Sequence, residues 1–349
     1  MTSITAPPEL AAAGAEDVLA ALVEWLEAGR RAQLVTVTRT WRSSPRPVGS
    51  HLAVRDDGLF LGSVSGGCVE GAVLRESLER MEAEDVTPPA TFRFGTTDAQ
   101  AWAVGLPCGG EIEVLVAQAP SLDALRALTR ARRARRQAVL TLSLEDGSCC
   151  VMVDGAPAVG EPMPALLERF QAIVHREIAE VVSIDGVDVF VHPLLPRPRL
   201  AIVGAVHIAQ ALVVLAKMSD YDVVVVDPRE AFNTAQRFPD TERVLEWPDD
   251  ALPTLGLTAR DALVVLSHDP KLDDPALAGA LEEGVGYVGA LGSVRNQTKR
   301  LERLAAAGVP CDELARIHGP VGLDIGSRSA PEIAVSIMAQ LIQARKGKG

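Results

Sequence analysis

The sequence predicts an α/β protein in two parts: a mixed α+β domain over residues 1–192, then a doubly wound parallel sheet over 198–349. Three observations lead there. Residues 200–345 alternate short aliphatic runs with amphipathic stretches, the pattern of strands buried on both faces between helices. Residues 15–191 mix alternating and helical stretches without that regular order. Between them, Val191-His192-Pro193-Leu194-Leu195-Pro196-Arg197-Pro198 sets three prolines within six positions, a stiff connector that marks the boundary.

In the first part, helical spacing covers 15–29. Strands are expected at 34–41, 52–54 and 59–64, where apolar and polar residues alternate or β-branched residues cluster. A helix over 69–84 follows, then strands at 92–94 and 112–117 and a helix over 122–136. Strands at 138–144 and 150–153, a helix over 165–176 and a strand at 187–191 complete it. In the second part, strand 200–203 runs into Gly204, a helix extends to about 218, and strand 223–227 ends on Asp227. Strands 262–266 and 285–291 and helices 275–283, 295–307 and 331–345 follow. No repeat relates the two halves.

The 349 residues suffice for two ordinary domains, and a net charge of −12 argues against general nucleic-acid or anionic-membrane binding. No apolar run reaches the roughly 20 residues that span a bilayer. The N-terminal residues show no basic stretch followed by an apolar core, so no signal peptide is expected. Five scattered cysteines without a CxxC pair point to reduced thiols and a cytoplasmic setting. Cys149 and Cys150 are neighbours in a strand, face opposite ways, and read as packing residues. Five arginines within 130–136 read as a solvated helix end.

Two cysteine-glycine turns carry the chemistry of the first part. Gly62-Ser63-Val64-Ser65-Gly66-Gly67-Cys68-Val69-Glu70-Gly71 leads into a helix, so its free N–H groups and the helix dipole suit an anion. Pro107-Cys108-Gly109-Gly110 holds a second thiol outside regular structure. A thiolate beside an oxyanion-binding turn fits a ligand with a phosphate at one end and a soft metal or sulfur at the other. For both Cys68 and Cys108 packing is the alternative, and Cys108 is the better candidate to face a metal. Glu70 either meets a ligand edge or simply favours its helix start. Arg39 and Arg46 either pair with a phosphate or stand on the surface.

In the second part, Gly204-Ala205-Val206-His207-Ile208-Ala209 occupies the place of a GxGxxG turn, with Asp227 where a ribose-binding acid stands. The pattern is that of a Rossmann-like domain. Val206 replaces the glycine that lets a pyrophosphate approach, so conventional NAD(P) binding is not expected. A scaffold without any cofactor is the alternative. His207 either contacts a phosphate or opens its helix. His268 and Asp269, after Ser267, either line a pocket or cap a turn. Gly289, Gly292, Ser293, Arg295 and Asp324 sit in further turns, and several such turns at one sheet edge would form a pocket.

Taken in order, these motifs resemble the XdhC/CoxI family of molybdenum-hydroxylase accessory proteins over nearly the whole chain. The resemblance rests on Thr38-Arg39-Thr40, on Ser44-Pro45-Arg46-Pro47-Val48-Gly49, on both cysteine-glycine turns, on Gly204 to Ala209 and Asp227, and on Arg237-Phe238-Pro239. Ser267-His268-Asp269, Tyr287 to Arg295 and Pro320 to Gly326 complete it. The family's glycine-rich turn usually reads Gly-Ala-Gly-His, and Val206 departs from it. The resemblance implies an N-terminal family-specific domain, a C-terminal Rossmann domain and a cytoplasmic homodimer. It implies a chaperone that binds molybdenum cofactor of the molybdopterin type as cargo and supports its sulfuration by a cysteine desulfurase. The cargo then passes to a xanthine dehydrogenase or CO dehydrogenase type apoenzyme. Cofactor-binding residues are then expected among Ser65, Gly66, Gly67, Cys68, Glu70, Cys108, Gly109 and Gly110, with Cys108 touching molybdenum. In the second domain they are Gly204, His207, Asp227, His268, Asp269, Gly289, Gly292, Ser293, Arg295 and Asp324. The competing readings are an NAD(P)-dependent oxidoreductase, with His207 or His268 as proton donor, and a nucleotidyltransferase, with Asp227, Asp269 and Asp324 on magnesium.

Overall fold

Alternation decides which face of each strand is buried, and the first strand shows it. In β1 (Ala32–Trp41), Ala32 and Leu34 face one apolar cluster and Val35 and Val37 face another. A computed structural model describes residues 17–67, 69–83, 87–95 and 110–346, and divides the chain into two compact units, Met1–Pro196 and Arg197–Gly349.

The first unit begins with α1 (Val18–Glu27), whose N-cap Asp17 accepts a hydrogen bond from the Ala20 N–H. β1, β2 (His51–Arg55) and β3 (Phe60–Gly62) form an antiparallel meander, followed by α2 (Glu70–Glu82) and the hairpin β4 (Ala90–Phe94) and β5 (Glu111–Gln118). Then come α3 (Leu122–Arg133), β6 (Ala138–Ser143), β7 (Cys149–Val153) and β8 (Ala156–Val159). Two short helices, α4 (Pro164–Glu168) and α5 (Phe170–Arg176), precede the hairpin β9 (Glu180–Ile184) and β10 (Val187–Leu194). The single helix expected over 165–176 is therefore broken, with Arg169 ending one helix and starting the next.

This unit contains one arrangement twice. Helix, meander, helix and hairpin give the sheet order β3-β2-β1-β5-β4, and the same sequence of elements gives β8-β7-β6-β10-β9. The correspondence reaches individual bonds. Arg30 Nε and the Arg31 N–H donate to Asp56 at 2.8 and 3.0 Å, and Arg136 Nε and the Gln137 N–H donate to Asp154 at 2.6 and 3.1 Å. Gly62 ends β3 and Gly160 directly follows β8, at φ of 90° and 72°; a Cβ on either would meet the carbonyl oxygen of His51 or of Cys149, the first residues of β2 and β7. The sheets share a core in which α1 and α3 pack on each other, with Leu22, Trp25, Leu125, Leu140 and Phe190 buried. The opposite faces are covered by α2 and by α4 and α5.

In the second unit, β11 (Arg199–Val203), α6 (His207–Met218), β12 (Asp222–Val226), β13 (Glu242–Val244) and α7 (Pro248–Leu255) form the first half. β14 (Ala262–Val265), α8 (Pro270–Glu282), β15 (Tyr287–Ala290), α9 (Val294–Ala306), α10 (Cys311–Leu314), β16 (Ile317–His318) and α11 (Ala330–Lys346) form the second. The six strands are parallel in the order β13-β12-β11-β14-β15-β16, a doubly wound Rossmann sheet. One face packs on α7 and α8, the other on α6 and α11. The helix expected from 275 begins at Pro270, because Asp269 caps it and proline suits the first helical position. No helix among the described residues is long and apolar enough to cross a membrane.

Candidate functional site

The duplication within the first unit marks where the first copy has been elaborated. Three connections lie at the edge where β1 ends: β1 to β2, β3 to α2, and β4 to β5. In the second copy they are short: 144–148, 160–163 and the two-residue turn 185–186. In the first they are 42–50, 63–69 and 95–110, and they carry both cysteine-glycine motifs. Long connections on a frame that closes without them indicate function rather than folding need.

The described parts of these connections touch. A Cβ built on Gly66 would lie 4.0 Å from Pro45 Cβ, and one on Gly110 would strike the Ser43 carbonyl oxygen. The turn containing Ser65, Gly66 and Gly67, and Gly110 just before β5, thus both meet loop 42–50. Cys68, Cys108 and Gly109 lie outside the described residues.

The interior of the glycine-rich turn is filled by the chain itself. Glu70, at the first position of α2 and only 8% exposed, aims its carboxylate back into the turn. Oε1 accepts from Ser63 Oγ at 2.7 Å and from the N–H groups of Val64, Ser65 and Gly66 at 3.2, 2.9 and 3.1 Å. Oε2 accepts from the Gly67 N–H at 2.8 Å and from Ser65 Oγ. Burial raises the carboxyl pKa, but the Ser65 and Ser63 hydroxyls and the Ser65 N–H outweigh it and bring it to about 2 from an ordinary 4.5. Gly66 and Gly67, at φ of 75° and 117°, let successive N–H groups converge on this carboxylate. The donors that the sequence assigned to a ligand anion are held by Glu70.

Beside this turn a cavity of about 410 Å³ opens between the two copies, lined among others by Asp17, Arg46, Gly62, Arg132, His51 and His192. Arg132 pairs with Asp17 at 3.0 Å, so one member of the arginine run, still partly exposed, also lines a cavity. The two imidazoles form a chain: Thr36 Oγ1 lies 2.9 Å from His51 Nδ1, and His51 Nε2 lies 3.0 Å from His192 Nδ1. Burial pushes His192 down to about 4; burial and then the His192 charge hold His51 well below 6.5. Sequence reasoning missed this pair, because 141 positions separate its members. Arg39 is bound to Glu113 at 2.7 Å and to Asp188 at 3.2 Å.

In the second unit, the loops after β11, β12 and β14 meet where the strand order reverses. Gly204, at φ 101°, packs so closely that a Cβ would lie 2.8 Å from the Ser267 N. Asp227 is fully buried. Its Oδ2 accepts from the Ala205 N–H at 2.8 Å and Arg229 Nη2 at 2.7 Å; Oδ1 accepts from the Arg229 N–H at 3.0 Å and Nε at 2.8 Å. Burial raises its pKa, and Arg229 and Ala205 outweigh that and hold it below the usual carboxylate value. Four donors already engage its two oxygens and the residue is fully buried, so a ribose hydroxyl would have to displace one of them. Val206 packs against the α6–α11 core.

His207 is exposed at the first position of α6, and Asp269 Oδ1 accepts from the Lys271 N–H as the cap of α8. His268 is exposed with φ of 61°, a left-handed backbone uncommon outside glycine. Behind it Ser267 Oγ donates to Asp273 Oδ1 at 2.6 Å, and buried Arg300 reaches Asp273 at 3.4 Å and the Leu291 carbonyl at 2.9 Å. Asp273, Arg300 and Arg229 were not singled out in the sequence; the Asp269-Pro270 start signal would have put Asp273 on the first turn of α8. Gly289 lies in β15 against Val321, Ser293 caps α9 with Gly292 before it, and Arg295 and Asp324 are exposed.

Comparison with known proteins gives two family matches: the XdhC and CoxI family over residues 25–95, and the XdhC Rossmann domain over 200–341. The chain is 30% identical over 329 residues to the molybdenum cofactor insertion chaperone PaoD of Escherichia coli (strain K12), covering 94% of this chain and 88% of the relative. It is 26% identical over 327 residues to a protein of Bacillus subtilis (strain 168) named as a probable xanthine dehydrogenase subunit, covering 92% and 95%. A solved structure described as a xanthine dehydrogenase from Bacillus halodurans matches with a TM-score of 0.76 at 25% identity, over 95% of this chain and 96% of that one.

Proposed function

The chain belongs to the XdhC and CoxI family, and from that premise we propose that it is a chaperone for molybdenum cofactor. The observation that carries the reading is the elaboration of three connections at one edge of a duplicated frame, with both cysteine-glycine motifs on them. Molybdopterin has a phosphate at one end and a dithiolene-held metal at the other. Loop 42–50 meets both Gly66 and Gly110, the described parts of the two motifs, and on this reading a thiolate of either motif and the polar cavity serve one ligand. Cys108, or Cys68, shields the molybdenum, since a soft thiolate suits that metal. The protein supports sulfuration by a cysteine desulfurase and hands the cargo to a molybdenum hydroxylase, working as a homodimer in the cytoplasm. The name of the relative PaoD supports cargo insertion.

The order β13-β12-β11-β14-β15-β16 favours a second reading, an NAD(P)-dependent oxidoreductase. The four donors on Asp227 weigh against it. The test is purification from a molybdate-fed host, with molybdenum by mass spectrometry and pterin by fluorescence after oxidation. Both signals are expected in wild type, with less molybdenum in Cys108→Ser at equal thermal stability. NAD(P) as the sole bound molecule would establish the second reading instead.

A further inference from the structure

The sequence assigns a ligand's phosphate to the glycine-rich turn, yet that turn already holds a carboxylate. Four backbone N–H groups and two hydroxyls of residues 63–67 converge on Glu70. A phosphate entering there would have to displace a buried anion from its donors, or sit against it; like charges at such distance repel.

We propose that the phosphate-bearing end of the cargo is held instead in the cavity between the two copies of the first unit, by Arg46, Arg132 and His192. This rests on the cofactor-chaperone reading and locates one end of the ligand within it. The cavity begins at Gly62, where the glycine-rich turn starts, and its wall includes residues 46–50 of loop 42–50, whose Pro45 and Ser43 meet Gly66 and Gly110. Its volume of about 410 Å³ falls within the roughly 300–1,000 Å³ of small-molecule pockets. Two guanidinium groups and one carboxylate, Asp17, line it beside the two imidazoles. The Asp17–Arg132 pair holds the second guanidinium at the wall.

The imidazole chain completes the donor set. When Thr36 Oγ1 donates to His51 Nδ1, His51 Nε2–H donates to His192 Nδ1, and the remaining hydrogen lies on His192 Nε2. That nitrogen lies beside Gly49, itself part of the cavity wall; a Cβ on Gly49 would be 3.0 Å from it. In this tautomer His192 gives one N–H to an anion without carrying a charge into a buried position. Gly49, at φ 88°, leaves the space open. The second copy presents no equivalent loop, because β6 and β7 are joined by 144–148 alone.

The test compares binding of a phosphorylated pterin and its dephosphorylated form to the full-length chain stripped of cargo. Wild type should prefer the phosphorylated form, and Arg46→Gln with Arg132→Gln should abolish the preference, at about tenfold for each arginine. Arg46→Lys with Arg132→Lys should restore part of it, which separates charge from folding; melting temperature checks each variant. Ser63→Ala with Ser65→Ala, in the turn, should leave the preference in place. If the arginine variants keep it and the serine variant loses it, the phosphate sits in the turn and the proposal is wrong. If wild type from a molybdate-fed host carries pterin yet shows no preference for the phosphate, the cavity assignment fails while the chaperone reading stands. If wild type carries and binds no pterin, both fail.

Discussion

Replacing Glu70 by glutamine tests whether the glycine-rich turn is built around an internal anion. The carboxyl falls from an ordinary 4.5 to about 2, which corresponds to about 3 kcal/mol in favour of the ionised, folded turn. The sign follows from proton binding: the unfolded chain binds a proton near pH 4.5 that the folded one refuses until about 2. This stabilisation is complete above pH 4.5 and is lost as pH falls toward 2. Bond counting gives a similar figure. Oε1 takes four donors and can remain an oxygen in glutamine, but the amide nitrogen then replaces Oε2, where the Gly67 N–H and the Ser65 hydroxyl donate. One buried N–H loses its acceptor, at about 1–3 kcal/mol, and the charge-assisted part of the remaining bonds is lost as well. Glu70→Gln should therefore cost about 3 kcal/mol at pH 7 in urea unfolding, with the m-value unchanged. Amide exchange at 64–67 should speed up while that of β1 stays slow. A midpoint equal to that of wild type, with 64–67 still protected, would show that the turn holds itself without Glu70.

Three further outcomes are expected. Lowering the pH from 7.5 to 4.5 should destabilise the first unit through His192, whose folded value near 4 lies below its ordinary 6.5. The unfolded chain binds the proton first, so the loss begins near pH 6.5 and reaches at most about 3 kcal/mol by pH 4. His192→Gln should flatten that part of the urea-midpoint profile, and an unaltered slope would remove the pair as its source. Calorimetry should find no low-micromolar NAD or NADP binding, because Asp227 is spent on Ala205 and Arg229; tight binding would reverse this. Replacing 95–110 with the Asp-Gly turn of 185–186 should leave the melting temperature within a few degrees and remove most bound molybdenum. Normal metal content would place the metal-facing group elsewhere.

What could be read from the sequence divides by the range of the interactions. The Rossmann sheet was legible because each strand is a short aliphatic run and each face is covered by a helix of matching period, both local signals. β13 and β16, of three and two residues, carry too few positions to show a period, and α7 is hidden by Pro248 and Pro253. The glycine-rich turn was legible as a converging set of N–H donors, but its occupant was not. A glutamate in a first helical turn satisfies the dipole in any protein, and only the path of the backbone aims Glu70 back at Ser63 to Gly67. Asp227 stands at the strand end where a ribose acid belongs, and what removes it from that role is Arg229, two positions on, whose direction no spacing rule fixes.

The duplication was the least legible feature and the most useful one. Its two copies keep little in common except Arg30 with Asp56 against Arg136 with Asp154, and Gly62 against Gly160, residues that hold a turn or allow a close backbone approach. Even Gly29, at φ 74°, faces Arg135, which takes the same left-handed backbone at φ 53° without glycine's freedom. Such a frame constrains hydrogen bonds and sterics more tightly than side-chain identity, so sequence similarity fades before topology does. The second copy then serves as a control within the same molecule. It shows that 144–148, 160–163 and 185–186 are enough to close this fold, so the additional residues of 42–50, 63–69 and 95–110 contribute something other than folding. The first copy brings Gly62, Gly49 and Arg46 to the cavity, while the second copy contributes His192 and, through α3, Arg132. On this reading one copy supplies the variable loops and the other supplies the fixed wall against which they work.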